Sequence, residues 1–294
     1  MLGHPRLVWV GVAVAVLTSI VCVALLLFFR AAFAGSFIVS PVAFHIGTAA
    51  VRWYGLFAAL GLAVGFPWTL ARATRIGLKP RSTVEQVLWW AVLGGLVGAR
   101  LIYVLQNSST YGQDPRQILA VADGGLSIHG MLLGGLVAAA IVSRLLRVNF
   151  WRLADAGSPS LLLGMIIGRF GNFTNGELFG YPTTLPWKLF IPLANRPAPY
   201  LEQSFFHPIF LYDIVLNTFL LIIILRTENS CRFKGELLGR FVLGISVTRF
   251  IVEWWRINDP PSVGVLSTAQ LVSIGLAIVS LFFILLGRRT RSVL

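Results

Sequence analysis

Long runs of apolar residues, separated by short polar connections, recur along the whole chain. Each run is close to the roughly 20 residues that an α-helix needs to cross the hydrocarbon core of a bilayer. The pattern predicts eight such helices, at residues 7–29, 51–71, 84–105, 127–146, 155–174, 208–225, 236–255 and 268–287. The predicted fold class is therefore all-α: a polytopic transmembrane helical bundle of about eight spans.

The first run raises the question of a cleaved signal peptide. Arg6 precedes it, and Ala32-Phe33-Ala34 is similar to a small-residue cleavage site. The apolar stretch at 7–29 is, however, longer than the roughly 7–15 residues usual for the core of a signal peptide. We expect an uncleaved anchor helix, with cleavage as the alternative.

One connection, at 175–206, is much longer than the others. It contains Pro182, Pro186, Pro192, Pro197 and Pro199. Connections of this length in compact proteins usually carry function, for example as lids or binding arms. We divide the chain into an N-terminal anchor helix with its outer connection (1–44) and a helical core (45–294) that includes this loop.

Basic residues are concentrated in alternate connections. Clusters of Lys and Arg occur at 72–81, 144–152 and 226–234 and in the C-terminal tail, whereas the intervening connections carry fewer. Because basic loops of membrane proteins remain on the cytoplasmic side, these connections and both termini are predicted to be cytoplasmic. The 175–206 loop is then predicted to face outward.

The composition agrees with a membrane protein. Hydrophobic residues make up 56% of the chain and charged residues 12%, whereas a soluble domain carries about 25% charged residues. The mean hydropathy is +0.81. The net charge of +13 does not indicate nucleic-acid binding, since the basic residues lie in short loops beside apolar runs. Cys22 and Cys231 lack CxxC spacing, so neither a disulfide nor a metal site is predicted.

Polar residues that would be costly in a membrane occur at the same end of six predicted helices. Ionisable groups in transmembrane helices cost several kcal/mol unless partnered, so each one indicates a functional site. In the predicted orientation this end faces the outer leaflet. The residues are Tyr54, Arg100, His129, Arg169, Asn172, Asn175, Glu177, His207, Arg249, Glu253 and Arg256. We predict that they gather at one depth and form an active site.

Some of these residues also have a structural explanation. Arg249, Glu253 and Arg256 share one helix face, so they could simply form an intrahelical ion pair. A lone histidine is more often structural than catalytic, although His129 lies in a Gly-rich stretch at the depth of the arginines. Arg169 has no acid within the preceding turn, which favours a polar ligand or the bundle interior.

Glycines recur at helical spacing in two neighbouring predicted helices. Small residues at such spacing allow helices to approach closely. They are Gly94, Gly95 and Gly98 in one helix and Gly130, Gly134 and Gly135 in the next. We interpret most of them as packing residues.

Arginines at headgroup depth are suited to a phosphate, because a guanidinium group binds phosphate oxygens in a bidentate way. A nearby histidine can accept a proton near neutral pH. The combination predicts group transfer from a phospholipid, with arginines stabilising the phosphate leaving group. The alternative is a membrane transporter or lipid-binding protein without chemistry. We find no internal repeat, and the charges lie toward the outer face instead of the midplane, which favours the enzyme.

The run Gly168–Gly180 reads GRFGNFTNGELFG. It resembles the hallmark motif of the prolipoprotein diacylglyceryl transferase family. Further segments match in the same order: Arg52–Gly55, Asp123–Gly130, His207–Tyr212 and Arg249–Glu253. The resemblance covers about residues 45–290 and makes the first predicted helix an addition to the usual seven.

The resemblance implies an enzyme of lipoprotein biosynthesis in the bacterial plasma membrane. Such enzymes transfer the diacylglyceryl group of phosphatidylglycerol to the lipobox cysteine thiol in the signal peptide of a prolipoprotein. A thioether forms and glycerol phosphate is released. The implied partners are phosphatidylglycerol, prolipoprotein signal peptides and membrane lipid, with no nucleic acid, cofactor or metal.

The resemblance also implies roles for the polar residues. Arg169 and Arg249 would hold the phosphatidylglycerol headgroup and act in catalysis, Tyr54 would contribute a hydroxyl, and His129 is the usual candidate base. The residues implied to shape the headgroup site are Asn172, Glu177, Gly180 and Glu253. Supporting roles would fall to Arg100, Asn175, His207 and Arg256.

The sequence departs from the family pattern at five positions. Thr174 stands where an aliphatic residue is usual, and Ile245 where an aromatic residue is expected. Ile209 and Phe210 stand where small polar residues are usual, and Asp213 where a glutamate is usual. These departures leave open a diverged paralogue with another acceptor.

Overall fold

A computed structural model describes residues 19, 23, 26–36, 38–111, 115–119, 125–257 and 264–291 of the chain. The long helices in these residues are α1 (Trp53–Arg75), α2 (Arg81–Gln106), α3 (Ile128–Leu145), α4 (Phe150–Thr174), α5 (Ile209–Thr227), α6 (Glu236–Glu253) and α7 (Thr268–Arg291). They confirm the last seven predicted helices. The largest difference in a boundary is at α4, which begins at Phe150 where residue 155 was predicted.

Five of these helices, α1, α2, α3, α5 and α7, are long and apolar enough to cross a membrane. This confirms a multi-pass membrane protein. Helices α4 and α6 fall outside that set, and both contain several charged residues. The count of eight spans stays a prediction. Most of the first predicted span lies outside the described residues, although residues 26–34 are helical.

Basic side chains lie in the last turns of several helices. They are Arg72 and Arg75 of α1, Arg144 of α3 and Arg226 of α5. Positive charge at a helix C-terminus is favourable because the backbone dipole leaves partial negative charge there. The connections used to predict the orientation therefore also stabilise the helix ends.

The structure also contains two short antiparallel hairpins, which the sequence did not predict. Strand β1 (Val42–Ile46) pairs with β2 (Ala49–Arg52) directly before α1. Strand β3 (Leu189–Phe190) pairs with β4 (Phe205–Phe206) within the long loop. The second hairpin gives an ordered backbone to the segment that the sequence indicated only as a connection.

The chain divides into two compact units. The first unit comprises Met1–Ala58, Ile166–Leu216 and Thr248–Ser273, and the second comprises Ala59–Met165, Asn217–Val247 and Ile274–Leu294. The division of the chain at residue 44 stays a prediction.

The core of the first unit is aromatic. Phe173 of α4 and Phe210 of α5 pack with ring centroids 4.9 Å apart. Phe29 and Phe33, from the helical residues 26–34, pack on Phe173 at 5.7 and 6.3 Å. Leu189 and other residues of the long loop complete this cluster. The N-terminal segment is therefore part of the core that supports the end of α4.

The second unit is held by close helix packing and by buried ion pairs. A Cβ atom added at Gly98 of α2 would lie 2.8 Å from the Cα atom of Gly134 in α3, so the predicted small-residue packing is confirmed. Buried Glu236 pairs with Arg240 at 2.6 Å and also with Arg288. These contacts join α6 to α7 at the predicted cytoplasmic end.

Candidate active site

The end of α4 folds the hallmark segment into a tight turn. Gly176 adopts a φ of +64°, a left-handed conformation that glycine reaches at little cost. The Gly176 N–H donates to the carbonyl of Phe173 and the Glu177 N–H to that of Asn172, both at 3.1 Å. This pair of bonds is a Schellman motif, which satisfies carbonyls at the helix end. It turns Glu177 back toward the last turn of α4.

The side chains of this turn form one hydrogen-bonded chain. The amides of Asn172 and Asn175 each donate to Oε1 of Glu177 at 3.1 Å. The oxygen of Asn172 accepts from Nη1 of Arg169 at 3.3 Å. Four predicted site residues are thus brought together, with one asparagine linking the arginine to the acid.

Arg169 also contacts a carboxylate of another helix. Its Nε lies 3.0 Å from Oδ2 of Asp213 in α5. The N–H does not point well enough at this oxygen for a directed hydrogen bond, so the contact is an ion pair. Asp213 is only 2% exposed. Asp213 is not among the residues predicted for the site from the sequence, although a lone acid in an apolar span is itself a sign of a functional site.

A second pair of arginines shares a carboxylate near the end of α6. Nη2 of Arg249 lies 2.8 Å from Oε2 of Glu253, and Nη1 of Arg256 lies 4.0 Å from the same oxygen. The intrahelical ion pair considered in the sequence analysis is therefore present. Ser267 also donates to Oε1 of Glu253 at 3.2 Å, which ties the end of α6 to the start of α7.

These two groups of charges act on one another. The charges of Arg249, Arg256 and Glu253 reach Asp213, as does that of Arg169. We call these five residues the charge cluster. Both carboxylates are buried, whereas the arginine side chains are 21–30% exposed. The cluster thus presents positive groups over buried negative ones, an arrangement suited to an anion.

Tyr54 lies beside the hallmark segment. A Cβ atom added at Gly171 would lie only 2.7 Å from Cδ2 of Tyr54, so this glycine permits the close approach of α1 to α4. One turn further, Phe57 packs on Phe170 with ring centroids 5.9 Å apart. The structure therefore brings Tyr54 next to the last turn of α4.

His207 belongs to a hydrogen-bonded chain. Its Nδ1 lies 2.9 Å from the hydroxyl of Tyr212, which accepts from Nε1 of Trp187 at 2.9 Å. Burial lowers the pKa of His207, which favours the neutral ring. The N–H of Gly180 donates to the carbonyl of His207 at 2.8 Å. His207 and Gly180 thus connect the long loop to α5, which is a structural contribution.

Two adjoining cavities open in the first unit. One, of about 380 Å³, has polar lining residues that include Asn175, Glu177, Asn195 and Arg256. The other, of about 220 Å³, is largely apolar, and its lining residues include Ala32, Ile38, Val39, Phe173, Leu189 and Ile191. Both are lined by Asn175, Gly176 and Asn195. Both cavities thus combine mostly apolar walls with a few charged or amide side chains, which suits an amphiphilic ligand.

The two remaining predicted residues, Arg100 and His129, belong to the second unit. Arg100 donates to the carbonyls of Gln117, Ile118 and Gly125 at 2.6, 2.8 and 2.9 Å. It therefore binds the described residues on either side of the connection before α3. His129 lies exposed in the first turn of α3. The Asp123-Gly124 part of the matching motif lies outside the described residues.

Among the described residues, no group of three or more His, Cys, Asp or Glu side chains could hold a metal ion. Cys231 is a free, half-buried thiol, and Cys22 lies outside the described residues.

Comparison with known proteins gives a consistent family match. The sequence model of the prolipoprotein diacylglyceryl transferase family matches residues 41–286. A phosphatidylglycerol–prolipoprotein diacylglyceryl transferase of Acaryochloris marina is 40% identical over 255 residues, or 85% of this chain and 92% of its own length. The chain belongs to the prolipoprotein diacylglyceryl transferase family.

Two further relatives carry the same name. That of a Nostoc species is 41% identical over 240 residues, or 80% of this chain and 84% of its own length. That of Lysinibacillus sphaericus is 37% identical over 240 residues, or 80% of this chain and 88% of its own length. The family resemblance inferred from the sequence is thus confirmed. The helical residues 26–34 precede the region that matches the family.

The departures of this diacylglyceryl transferase from its family pattern have structural explanations. Ile209 and Phe210 are buried in the first unit, where Phe210 packs on Phe173. Thr174 is buried, and its hydroxyl donates to the carbonyl of Gly171 at 2.9 Å. Ile245 packs at the edge of a core cluster of the second unit. Asp213 alone among the departures carries charge into the candidate site.

Proposed function

We propose that this diacylglyceryl transferase moves the diacylglyceryl group of phosphatidylglycerol to the lipobox cysteine thiol of an exported prolipoprotein. The cysteine sulfur forms a bond to the phosphate-bearing glycerol carbon of the diacylglyceryl group. The bond from that carbon to the phosphate oxygen breaks. The thiol proton passes to a base, and glycerol phosphate leaves. The charge cluster carries this proposal, because a phosphodiester needs fixed cationic donors.

Arg169 and Arg249 are proposed to hold the phosphodiester. A guanidinium group has five N–H donors. The described contacts of Arg169 use its Nε and Nη1 groups, so Nη2 is available to a phosphate oxygen. Donors held in position before the reaction stabilise the charge that develops on the leaving phosphate.

The adjoining cavities support an amphiphilic donor. The cavity that Glu177 and Arg256 line would receive glycerol hydroxyls, for which carboxylate and guanidinium groups are good hydrogen-bond partners. The apolar cavity, lined by Phe173 and Leu189, would take an adjoining apolar portion of a substrate. Tyr54, Asn172 and Glu177 are proposed to shape the headgroup site beside Arg169.

His129 is proposed as the base that accepts the thiol proton. Its ring has an unperturbed pKa of about 6.5, so a neutral imidazole is available at neutral pH. A cysteine thiol is mostly protonated there, so deprotonation would increase its reactivity. Arg100 binds the carbonyl of Gly125, three residues before α3, and thereby supports the helix turn that carries His129.

We propose a location in the bacterial plasma membrane, with both termini cytoplasmic and the site toward the outer leaflet. The alternation of basic connections supports this orientation. Exported precursors would then meet the site on the outer side, where phosphatidylglycerol headgroups are also exposed.

The test is transfer by the purified protein. The protein is combined with phosphatidylglycerol vesicles and a lipobox peptide, and the peptide mass is followed for the diacylglyceryl increment. Arg169→Ala and Arg249→Ala are expected to lower the rate by about 100-fold or more, because each removes a fixed donor to the phosphate. Arg75→Ala, at an exposed position at the end of α1, is the matched control and should retain the wild-type rate.

Two outcomes would contradict the proposal. Lipid binding by folded protein without any mass increment would favour a non-catalytic or diverged lipid-binding or transport protein. Normal transfer by both arginine variants would show that the phosphate is held elsewhere.

A further inference from the structure

Asp213 is a carboxylate in an environment that disfavours charge. It is the one acidic residue of α5, whose other residues are almost all apolar, and it is 2% exposed. A buried carboxylate is costly unless it is paired with a cation. Its presence in this helix therefore requires a compensating contact.

That contact is made with the end of α4. Oδ2 of Asp213 lies 3.0 Å from Nε of Arg169. Arg169 lies in α4, about one helical turn before the helix ends. Nη1 of the same guanidinium donates to Asn172 at 3.3 Å. The guanidinium group is thus held by an ion pair to α5 and by a hydrogen bond within its own helix.

These two contacts restrict how Arg169 can turn. An arginine side chain otherwise has many rotamers, and ordering it on binding costs free energy. Because Nε contacts Asp213 and Nη1 contacts Asn172, the Nη2 group is held pointing in one direction. Asp213 therefore prepares the arginine for a phosphate oxygen before the lipid arrives.

Asp213 also offsets charge. Three arginines of the charge cluster face two buried carboxylates, Asp213 and Glu253, and the arginine charges act on Asp213 together. Removal of the Asp213 charge would leave the cluster more positive by one unit. Anions would then bind more strongly, and a more highly charged anion would gain the most.

We propose that Asp213 is a positioning residue for the transfer reaction: it orients Arg169 toward the phosphate and limits how tightly the site holds the anionic product. This inference rests on the proposed function. The phosphodiester substrate carries one negative charge, whereas free glycerol phosphate carries about two near neutral pH. Asp213 thereby favours product release relative to substrate binding.

The test compares Asp213→Asn with the wild-type enzyme in the peptide-lipidation assay. The asparagine amide has nearly the same shape as the aspartate carboxylate but carries no charge. We expect kcat to fall about tenfold, since Arg169 loses its fixed orientation. We also expect added glycerol phosphate to inhibit about threefold to tenfold more strongly, since the cluster gains a positive charge. A purely structural role would reduce the amount of folded enzyme without changing its inhibition constant.

Two further variants keep the test decisive. Asp213→Glu retains the charge, so inhibition by glycerol phosphate should stay near wild type even if the longer side chain changes kcat. In an Arg169→Lys background, Asp213→Asn should change kcat by less than about twofold, because the guanidinium that Asp213 orients is absent. If Asp213→Asn does not fold, stronger inhibition of Asp213→Glu by glycerol phosphate would overturn the charge argument.

Asp155→Asn is the control for loss of a half-buried, hydrogen-bonded carboxylate. Asp155 belongs to the second unit and accepts from the N–H groups of Gly235 and Leu238 at 2.6 and 2.9 Å. This variant should be less stable but have wild-type kcat and product inhibition per folded molecule. Unchanged kcat and inhibition in Asp213→Asn would overturn the inference alone, whereas an inactive wild-type protein would overturn the proposed function.

Discussion

The two carboxylate oxygens of Glu253 contact different parts of the first unit. One pairs with Arg249, and the other accepts from Ser267 at the start of α7. The side chain is buried, so its charge depends on these partners. A single residue therefore both positions an arginine of the candidate site and joins two helices.

Glu253→Gln is expected to impair transfer more than it impairs folding. The amide can still accept from Ser267, but the ion pair with Arg249 is lost. We expect the transfer rate to fall about tenfold and the free energy of unfolding to fall by about 1–2 kcal/mol, since Arg249 is partly exposed. The lipidation assay and thermal unfolding in detergent measure the two effects. Ser267→Ala is the control and should affect stability only; equal transfer by Glu253→Gln would contradict this role.

Cys231 provides a pH-dependent signal outside the membrane helices. Burial raises the pKa of this thiol from 9.0 to about 11. At pH 8 its thiolate fraction is then about 100-fold lower than that of a thiol with the lower pKa. In a Cys22→Ser variant, alkylation of Cys231 should be slow at pH 8 and accelerate as the pH approaches 11. Mass spectrometry follows the reaction, and unfolded protein is the control; rapid alkylation of folded protein at pH 8 would disprove the prediction.

Individual residues could be predicted where an apolar context makes a polar group conspicuous. Arg169 and Glu177 stand out for this reason, and the structure brings both to the end of α4. The partnership of Arg169 with Asp213 could not be predicted, because it joins residues 44 positions apart that meet only through helix packing. Sequence shows that a charge needs a partner, and the fold decides which one.

At the scale of elements, α2 and α3 pack through their glycines. Gly98 faces the backbone of Gly130 and Gly134, where a side chain has no room. Such contacts bring backbones close and increase van der Waals contact between helices in a membrane. The segment before His129 is also attached to α2, since the Ser127 N–H donates to the carbonyl of Ala99 at 3.0 Å.

Gly98→Ala is expected to destabilise this helix pair. The added Cβ atom would lie 2.8 Å from the Cα atom of Gly134, so the helices must separate, at a cost of about 1–3 kcal/mol. Gly275→Ala in α7 is the matched control, because among the described residues no atom outside its own stretch of helix lies within 4 Å of its added Cβ atom. Thermal unfolding in detergent compares them. Equal unfolding temperatures for the two variants would show that the close approach is not needed.

Helices were more predictable than strands for a physical reason. A membrane helix satisfies its backbone within one continuous apolar run, which the sequence displays directly. Strands β3 and β4 contain two residues each and are defined by pairing between Leu189 and Phe206 across the loop. The start of α6 also depends on a distant residue, since the backbone N–H groups of Gly235 and Leu238 donate to Asp155 of α4. Such long-range partners leave no local pattern.

At the scale of the whole molecule, orientation is the property that the alternating basic connections predict. A variant without Cys22 and Cys231 allows single cysteines to report it. Ala194→Cys, exposed in the long loop, should react with a membrane-impermeant maleimide in intact cells. Lys79→Cys, exposed before α2, is the matched position and should react only after the membrane is opened. Reaction of Ala194→Cys only after opening would reverse the orientation.

The aromatic core of the first unit has a practical consequence. Phe29 and Phe33 cover Phe173, yet both precede residue 41, where the match to the family begins. A gene trimmed to the shared length would remove these two rings and expose Phe173 and Phe210 behind the hallmark turn. Expression designed from the alignment alone would thus remove part of the hydrophobic core of the first unit. A purification tag is better attached at the C-terminus, away from the segment that this core requires.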